Sequence, residues 1–263
     1  MNKPKTEQEI EILRENNLLV SKTLAEVAKL IQPGVTTAAL DKVAEEFIRD
    51  NGAVPGFLGY QAYPKTLCTS VNACVVHGIP SETQVLKEGD IVSVDCGTFK
   101  DGFYGDSAYT FAVGSIAPEV ADLLRYTKES LQLAAKKAMD KNRIGDIAST
   151  VQKHVEAQGF SVVREMVGHG LGRMLHEKPD VPNYGSAGSG KRLVAGMVLC
   201  IEPMINLGKR QVYIGRDGWS IMTLDGKPSA HFEYAVAIGH HGPDILTTFS
   251  YVEEVLKQQG QII

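Results

Sequence analysis

The sequence predicts a mixed α/β (α+β) protein built from two related halves packed about one sheet. Three observations carry that expectation. The order of predicted elements, two helices and then strands, occurs twice along the chain. The middle of the first half, residues 91–114, reads as a long β-hairpin. No linker or low-complexity segment marks a boundary between independent domains, and 263 residues are enough to bury a large shared core. The expectation is one domain over 1–263, with a first half to about 114 and a second from about 115.

In the first half, Ile10, Leu13, Val20, Leu24, Val27 and Ile31 recur at helical spacing. The pattern predicts a helix over 6–31, stopped by Pro33-Gly34. Thr36 or Thr37 caps a second helix that runs to about 50, with Leu40, Val43 and Phe47 inward and Asn51-Gly52 at its end. Residues 53–80 start irregular, become strand-like over 66–76 and close on His77-Gly78-Ile79-Pro80. The hairpin follows: 91–97 and 103–113 are rich in apolar and β-branched residues, and Lys100-Asp101-Gly102 is the turn signal between them.

The second half repeats the order. Val120, Leu123, Leu124, Leu131 and Ala135 predict a helix over 118–139. A break over 142–145 precedes a helix from 146 to about 158, stopped by Gly159. Strands then read in FSVVREMVG, GMVLCIEPMIN, QVYIG, WSIMTLDG and HFEYAVAIG. Residue-level similarity between the halves is weak; the repetition lies in the order of elements.

Composition excludes several classes. With 43% hydrophobic and 22% charged residues the chain reads as an ordinary globular protein, and a net charge of −4 gives no general reason to bind DNA or an anionic membrane. No apolar run approaches the ~18–20 residues of a membrane span. The opening MNKPKTEQEIEILREN lacks the apolar centre of a signal peptide and is too acidic for a transit peptide, so the expected compartment is the cytoplasm. Cys68, Cys74, Cys96 and Cys200 show neither zinc-ribbon spacing nor C-x-x-C, and they read as reduced, buried thiols.

The chemistry begins in the hairpin. With the reversal centred between Lys100 and Asp101, Asp95 and Asp106 fall opposite each other or one diagonal away, on one face. Opposed Cβ atoms lie about 4.5–5.5 Å apart. Two anions that close repel unless a proton or a cation sits between them. The alternative is a solvated face with two unrelated acids.

Three later segments add candidates: His169 and His176 in MVGHGLGRMLHEKP, Glu202 before Pro203 in GMVLCIEPMIN, and Glu233 in SAHFEYAVAIG. An acid within an apolar strand is costly to bury unless it is paired or metal-bound. Asp95, Asp106, Glu202, Glu233 and His169 together suit two divalent cations such as Mn, Fe, Co or Zn, whose charge would balance four carboxylates. Two cations about 3.5–4 Å apart can activate a water and polarise a carbonyl, which is hydrolytic chemistry. The seven-residue separation of His169 and His176 is not the H-E-x-x-H helix of single-zinc proteases. On sequence alone, His77 and His176 suit either substrate contact or a structural hydrogen bond.

One motif misleads. Residues 185–192, GSAGSGKR, nearly spell a phosphate-binding P-loop, but Arg192 stands where Ser or Thr would hold Mg²⁺. The preceding PDVPNY reads as loop, and a strand rather than a helix follows, so no helix N-terminus is on hand for phosphate. The segment reads as a mobile glycine loop near the site.

Taken in order, GYQAYPKTLC (59–68), VVHGIP (75–80), VSVDCGTFKDGFYGDSAYTF (92–111), GHGLGRMLHEKP (168–179), VLCIEPMI (198–205), DGW (217–219) and HFEYAVAI (231–238) resemble the type I methionine aminopeptidases of the bacterial kind, over essentially the whole chain. The resemblance implies the pita-bread fold, pseudo-twofold halves with a central antiparallel sheet flanked by helices. It implies two divalent ions, with Asp95 on one, His169 and Glu202 on the other, and Asp106 and Glu233 bridging. Glu202 would also shuttle protons, His77 would sit near the scissile nitrogen, and His176 would steady the developing oxyanion. Tyr60, Tyr63, Cys68 and Trp219 would form the methionine pocket, with aromatic and sulfur surfaces suited to a thioether. Phe57 and Leu175 depart from the family pattern, and both touch the pocket wall.

The implied activity is removal of the initiator methionine from nascent chains, at the ribosome, by a monomer, when the second residue is small. Two rivals stand beside it: an Xaa-Pro peptidase of the same fold, and a non-catalytic relative that binds peptides or partners. The absence of an amino-terminal extension, of an extra helical subdomain before Glu233 and of a separate N-terminal domain favours the type I enzyme. The chain begins Met1-Asn2, and Asn is large for such a site, so Met1 is expected to stay; an intact mass short of one methionine would contradict this.

Overall fold

A computed structural model describes residues 4–260; Met1 and Asn2, and with them the retention of Met1, lie outside the described residues. The first half runs α1 (Glu7–Ala28), α2 (Thr37–Asp50), β1 (Val54–Pro55), β2 (Leu67–Val71), β3 (Cys74–Val76), β4 (Ile91–Lys100) and β5 (Phe103–Ala112). The second runs α3 (Pro118–Ala135), α4 (Ile144–Glu156), β6 (Ser161–Val162), β7 (Gly168–Gly170), β8 (Glu177–Val181), β9 (Val198–Ile201), β10 (Met204–Asn206), β11 (Val212–Ile214), β12 (Ile221–Thr223), β13 (Ser229–His231), β14 (Tyr234–Ile238), β15 (Pro243–Ile245) and α5 (Ser250–Gln258). The order predicted from sequence, two helices and then strands in each half, is the order observed.

α1 and α2 begin at side-chain caps. Thr6 accepts from the Glu9 amide while the Glu9 carboxylate accepts from the Thr6 amide, a capping box worth about 1 kcal/mol. Thr36 caps α2 through the Ala39 amide. The buried stripe of α2 runs Leu40, Ala44 and Ile48, one step round from the predicted Val43 and Phe47, which are half-buried. α4 starts two residues earlier than predicted, inside the expected break, because the Asp146 carboxylate accepts from the Arg143 amide and closes its first turn.

Among the described residues every strand pair is antiparallel, but hydrogen bonding divides the strands into four sheets instead of one. β4 is the centre of the first sheet, flanked by β2 and β5 and capped at one end by β1. The second half holds a five-stranded sheet in the order β15-β14-β9-β7-β8. β8 overlaps the segment PDVPNY, which reads as loop; backbone pairing to β7 makes the first residues of that segment strand. The predicted strand over 66–76 breaks into β2 and β3 at Asn72, whose φ of 50° turns the chain. β15 and α5 are further elements that the sequence reading does not include, although Val252, Val255 and Leu256 recur at helical spacing in α5.

The two halves are joined by polar bonds between β5 and the β13–β14 segment. The Ser107 hydroxyl donates to the Glu233 carbonyl at 2.7 Å, and the Glu233 amide donates to the Ala108 carbonyl at 3.0 Å. Thr110 Oγ1 donates to the His231 carbonyl at 2.6 Å and accepts from its amide at 2.9 Å. One buried apolar cluster draws on both halves, among them Leu24, Val94, Tyr109, Leu131, Ile201 and Phe232. No helix among the described residues is long and apolar enough to cross a membrane.

Candidate active site

The hairpin fixes the first two acids. Its reversal falls between Asp101 and Gly102, one position later than the sequence suggested. Both turn residues have positive φ, 51° and 80°, as a two-residue turn matched to strand twist requires. Asp95 then pairs with Ala108 and Asp106 with Gly97, so the two aspartates are diagonal neighbours on one face. α1 packs against the opposite face, where the Thr98 hydroxyl donates to the Asn16 carbonyl at 3.3 Å, and the Asn17 side-chain oxygen accepts from the Asp106 amide at 3.0 Å.

The second half delivers its groups from short strands and the steps between them. His169 lies in β7, Glu202 follows β9, and Glu233 occupies the step between β13 and β14. His169 Nδ1 donates to the Gly170 carbonyl at 3.0 Å, an assignment made from the hydrogen bond, which leaves Nε2 facing the acids. That nitrogen stands 3.7 Å from Asp106 Oδ2 and 3.5 Å from Glu202 Oε1. The Glu202 carbonyl is held by Asn183 at 3.0 Å.

Every residue predicted for the site lines one pocket of about 130 Å³: Tyr60, Tyr63, Cys68, His77, Asp95, Asp106, His169, His176, Glu202, Trp219 and Glu233, with Phe57, Gln61 and Leu175. That is room for one side chain. A wider cleft continues from it past Gln61, His77, His176 and Glu177. The glycine-rich segment is elsewhere. Gly188 and Ser189 bond to Asp146 and Gly145 at the start of α4, and neither lines the pocket.

Burial sets the protonation states. It pushes Asp95 up to about 7 and Asp106, Glu202 and Glu233 well above the ordinary carboxylate range, with neighbouring carboxylates adding to the last three. Asp95 and Asp106 lie within hydrogen-bonding reach and can share a proton. Burial pushes the imidazoles the other way: His77 to about 4, His169 and His231 to about 3, and His176 down as well. All four rings are therefore neutral near pH 7. A neutral ring is the form that ligates metals.

The arrangement fits divalent cations. Asp95 Oδ1, Asp106 Oδ1, Glu202 Oε1 and Glu233 Oε1 are buried without a hydrogen-bond partner. Four orphaned carboxylate oxygens around one imidazole need cations or protons to be stable. The tightest donor group is Asp106, His169, Cys200 and Glu233, all within 4.8 Å of one another. Cys200 was missed by sequence reasoning; strand alternation from Glu202 would have placed it on the same face. Burial and the Glu233 carboxylate keep its thiol protonated, and it hydrogen-bonds to Glu233. It therefore acts as a donor to that carboxylate, while the orphaned oxygens belong to the acids.

The pocket wall is tied by hydrogen bonds and ring contacts. The Tyr63 hydroxyl donates to the Leu67 and Gly78 carbonyls at 2.9 and 3.1 Å, and its ring meets Trp219 edge-on at 5.1 Å. Trp219 is placed by a turn in which the Asp217 carboxylate accepts from its amide at 2.9 Å. Cys68 pairs with Asp95 across β2 and β4. His77 has φ of 61°, a conformation costing about 1–3 kcal/mol in a non-glycine residue. The bond from Thr69 to the Gly78 carbonyl at 2.8 Å holds the chain just beyond it. His176 Nδ1 is 2.8 Å from the Tyr60 hydroxyl, and its ring stacks edge-on to His169 at 4.3 Å. A second group went unseen in the sequence: buried His231, whose Nε2 has no partner and lies 3.8 Å from Glu202 Oε2.

Comparison with known proteins agrees with this geometry. The profile of metallopeptidase family M24 matches residues 11–240. A methionine aminopeptidase of Clostridium perfringens is 50% identical over 243 residues, covering 92% of this chain and 97% of that protein. The crystal structure of a methionine aminopeptidase from Thermotoga maritima superposes with a TM-score of 0.93 at 43% identity, over 94% of this chain and 100% of that one. A prolidase from Pyrococcus furiosus shares the fold at a TM-score of 0.77, with 22% identity, over 94% of this chain and 66% of its own.

Proposed function

Because the chain belongs to metallopeptidase family M24, we propose that this pocket is where a methionine is cut from the N-terminus of a polypeptide; the protein is a pita-bread methionine aminopeptidase of the bacterial type I kind, a metal-dependent hydrolase. The observation that carries the reading is the set of four buried, partnerless carboxylate oxygens at the floor of a one-residue pocket.

Asp95, Asp106, His169, Glu202 and Glu233 would hold two divalent cations, drawn from Mn, Fe, Co or Zn. Such ions, when bound, activate the attacking water and polarise the scissile carbonyl. The residues of the chain do the rest. Glu202 takes a proton from the attacking water and returns it to the leaving nitrogen. His77 sits beside that nitrogen. His176, its Nδ1 engaged by Tyr60, presents Nε2 where negative charge develops on the carbonyl oxygen, a contribution of about 3–4 kcal/mol. Tyr60, Tyr63, Cys68 and Trp219 close around the thioether side chain and exclude water.

The substrates are nascent polypeptides with a small second residue, met at the ribosome in the cytoplasm by a monomer. The chain works as one catalytic unit with halves of about 1–114 and 115–263, a reading supported by the shared core and by donors drawn from both.

The test is hydrolysis of Met-Ala-Ser beside Ala-Pro-Ala, with protein stripped by a chelator and reloaded with Mn²⁺ or Co²⁺. Metal-dependent release of methionine alone is expected. Release of Ala from Ala-Pro-Ala would move the specificity to proline peptidases, and no hydrolysis with any metal would leave only peptide binding.

A further inference from the structure

Strand alternation puts Gly97 on the same face of β4 as Asp95, directly across from Asp106. It is thus a bare position in the middle of a strand, on the wall of the site. Glycine weakens a strand and usually marks a close approach by something else. Here the approaching group is Phe57. A Cβ at position 97 would stand 2.5 Å from Phe57 Cε1, 2.8 Å from Cδ1 and 3.1 Å from Cζ. The aromatic ring fills the volume that a side chain at 97 would take, and it is itself a lining residue of the pocket.

The ring cannot back away. The Gly56 amide donates to the Gly97 carbonyl at 2.8 Å, and a Cβ at 56 would come within 2.9 Å of the Gly97 carbonyl carbon, so the chain before the ring lies flat on the strand. On its other side, the Phe57 carbonyl accepts from the Tyr60 amide at 2.9 Å. Phe57 is 8% exposed and packs in the same cluster as Leu175, Tyr63 and Cys68. With the backbone held at both ends and the flanks packed, the open direction is the pocket.

We propose that Gly97 sets the depth of the pocket for the first side chain: it is a positioning residue that acts through the Phe57 ring and so governs which N-terminal residues fit. The inference rests on the aminopeptidase reading. A methyl at 97 meets the Phe57 ring first and drives it toward the substrate's side chain.

The test compares the Mn²⁺-loaded protein with Gly97→Ala, Phe57→Ala and the double variant, on Met-Ala-Ser and on a peptide whose first residue is the shorter norvaline. Gly97→Ala is expected to raise KM for Met-Ala-Ser about tenfold, the cost of overpacking a filled site, with kcat nearly unchanged and a smaller effect on the norvaline peptide. In the Phe57→Ala background the same methyl should cost nothing. A KM rise that persists without the ring, a loss in kcat alone, or no change in KM would overturn the assignment. If Gly97→Ala is insoluble, the double variant should be soluble; an insoluble double overturns it as well. Binding of free methionine, followed by calorimetry in all four proteins, gives the same comparison without turnover. An unmodified protein that releases no methionine therefore counts against the aminopeptidase reading, separately from the Gly97 assignment.

Discussion

The two halves furnish one site by different means. The first half offers Asp95 and Asp106 from adjacent ten-residue strands, in continuous register and held from behind by Asn17 of α1. The second offers His169, Glu202 and Glu233 from strands of three to five residues, His169 within one, Glu202 just past another and Glu233 in the step between two. A long hairpin places side chains by its own ladder. Short strands cannot, and the second half borrows its precision from the first, through the bonds that Ser107, Ala108 and Thr110 make to His231 and Glu233. The lesson is that a site assembled across a pseudo-twofold need not be supported symmetrically.

The largest expected effect tests whether the unequal supports still yield one centre. Asp106→Asn from the first half and Glu202→Gln from the second should each lower kcat/KM by about a thousandfold or more, and the double variant should lose little beyond either single change. Substantial activity in one single variant, measured on Met-Ala-Ser, would mean that the halves do not act as a unit.

Next comes the response to pH. Asp95 is held near 7 in the folded protein against about 3.9 in an unfolded chain, and Asp106, Glu202 and Glu233 are shifted the same way. Between those limits the folded chain keeps protons that the unfolded chain has lost, so raising the pH favours unfolding. The buried histidines act oppositely, but only below about 6.5, where the unfolded rings take up protons. From about pH 6.5 to 8 the carboxylates therefore decide. Chelator-stripped protein should melt at progressively lower temperature across that window, and added Mn²⁺ should flatten the profile. A stripped protein with a flat profile would show that the four acids are not buried against one another as described.

The smallest effect probes the borrowed support. Ser107→Ala removes one buried hydrogen bond to the Glu233 carbonyl, worth about 1 kcal/mol. Stability should fall by that amount and metal affinity with it, measured by denaturant titration with and without Mn²⁺. Unchanged metal affinity at reduced stability would confine Ser107 to the core and leave the second half self-supporting.

The same asymmetry explains what was legible in the sequence. The hairpin declared its acids because two strands joined by a tight turn convert sequence distance into a shared face; the offset of one position came from leaving Lys100 in the turn when it ends β4. Glu202 and Glu233 stood out as acids within apolar runs. The order of helices and strands was equally plain. The division into four sheets was not, because pairing between short strands depends on contacts distant in sequence. His231 and Cys200 passed unnoticed for the same reason: a histidine at a strand end and a cysteine in an apolar strand look like packing until Glu202 and Glu233 are seen beside them. β8 was hidden by Lys178-Pro179-Asp180, whose pairing with β7 owes nothing to hydrophobic alternation.

The division of the donors has a practical consequence. The loop between β5 and α3 parts two from three: Asp95 and Asp106 on one side, His169, Glu202 and Glu233 on the other. A chain severed there yields two fragments, neither of which holds a complete set, yet each carries half of the bonding that joins Ser107 and Thr110 to Glu233 and His231. Recovered turnover on mixing such fragments would report their reassociation, so that the seam between the halves offers a place to build a split reporter whose signal is silent until the two pieces meet.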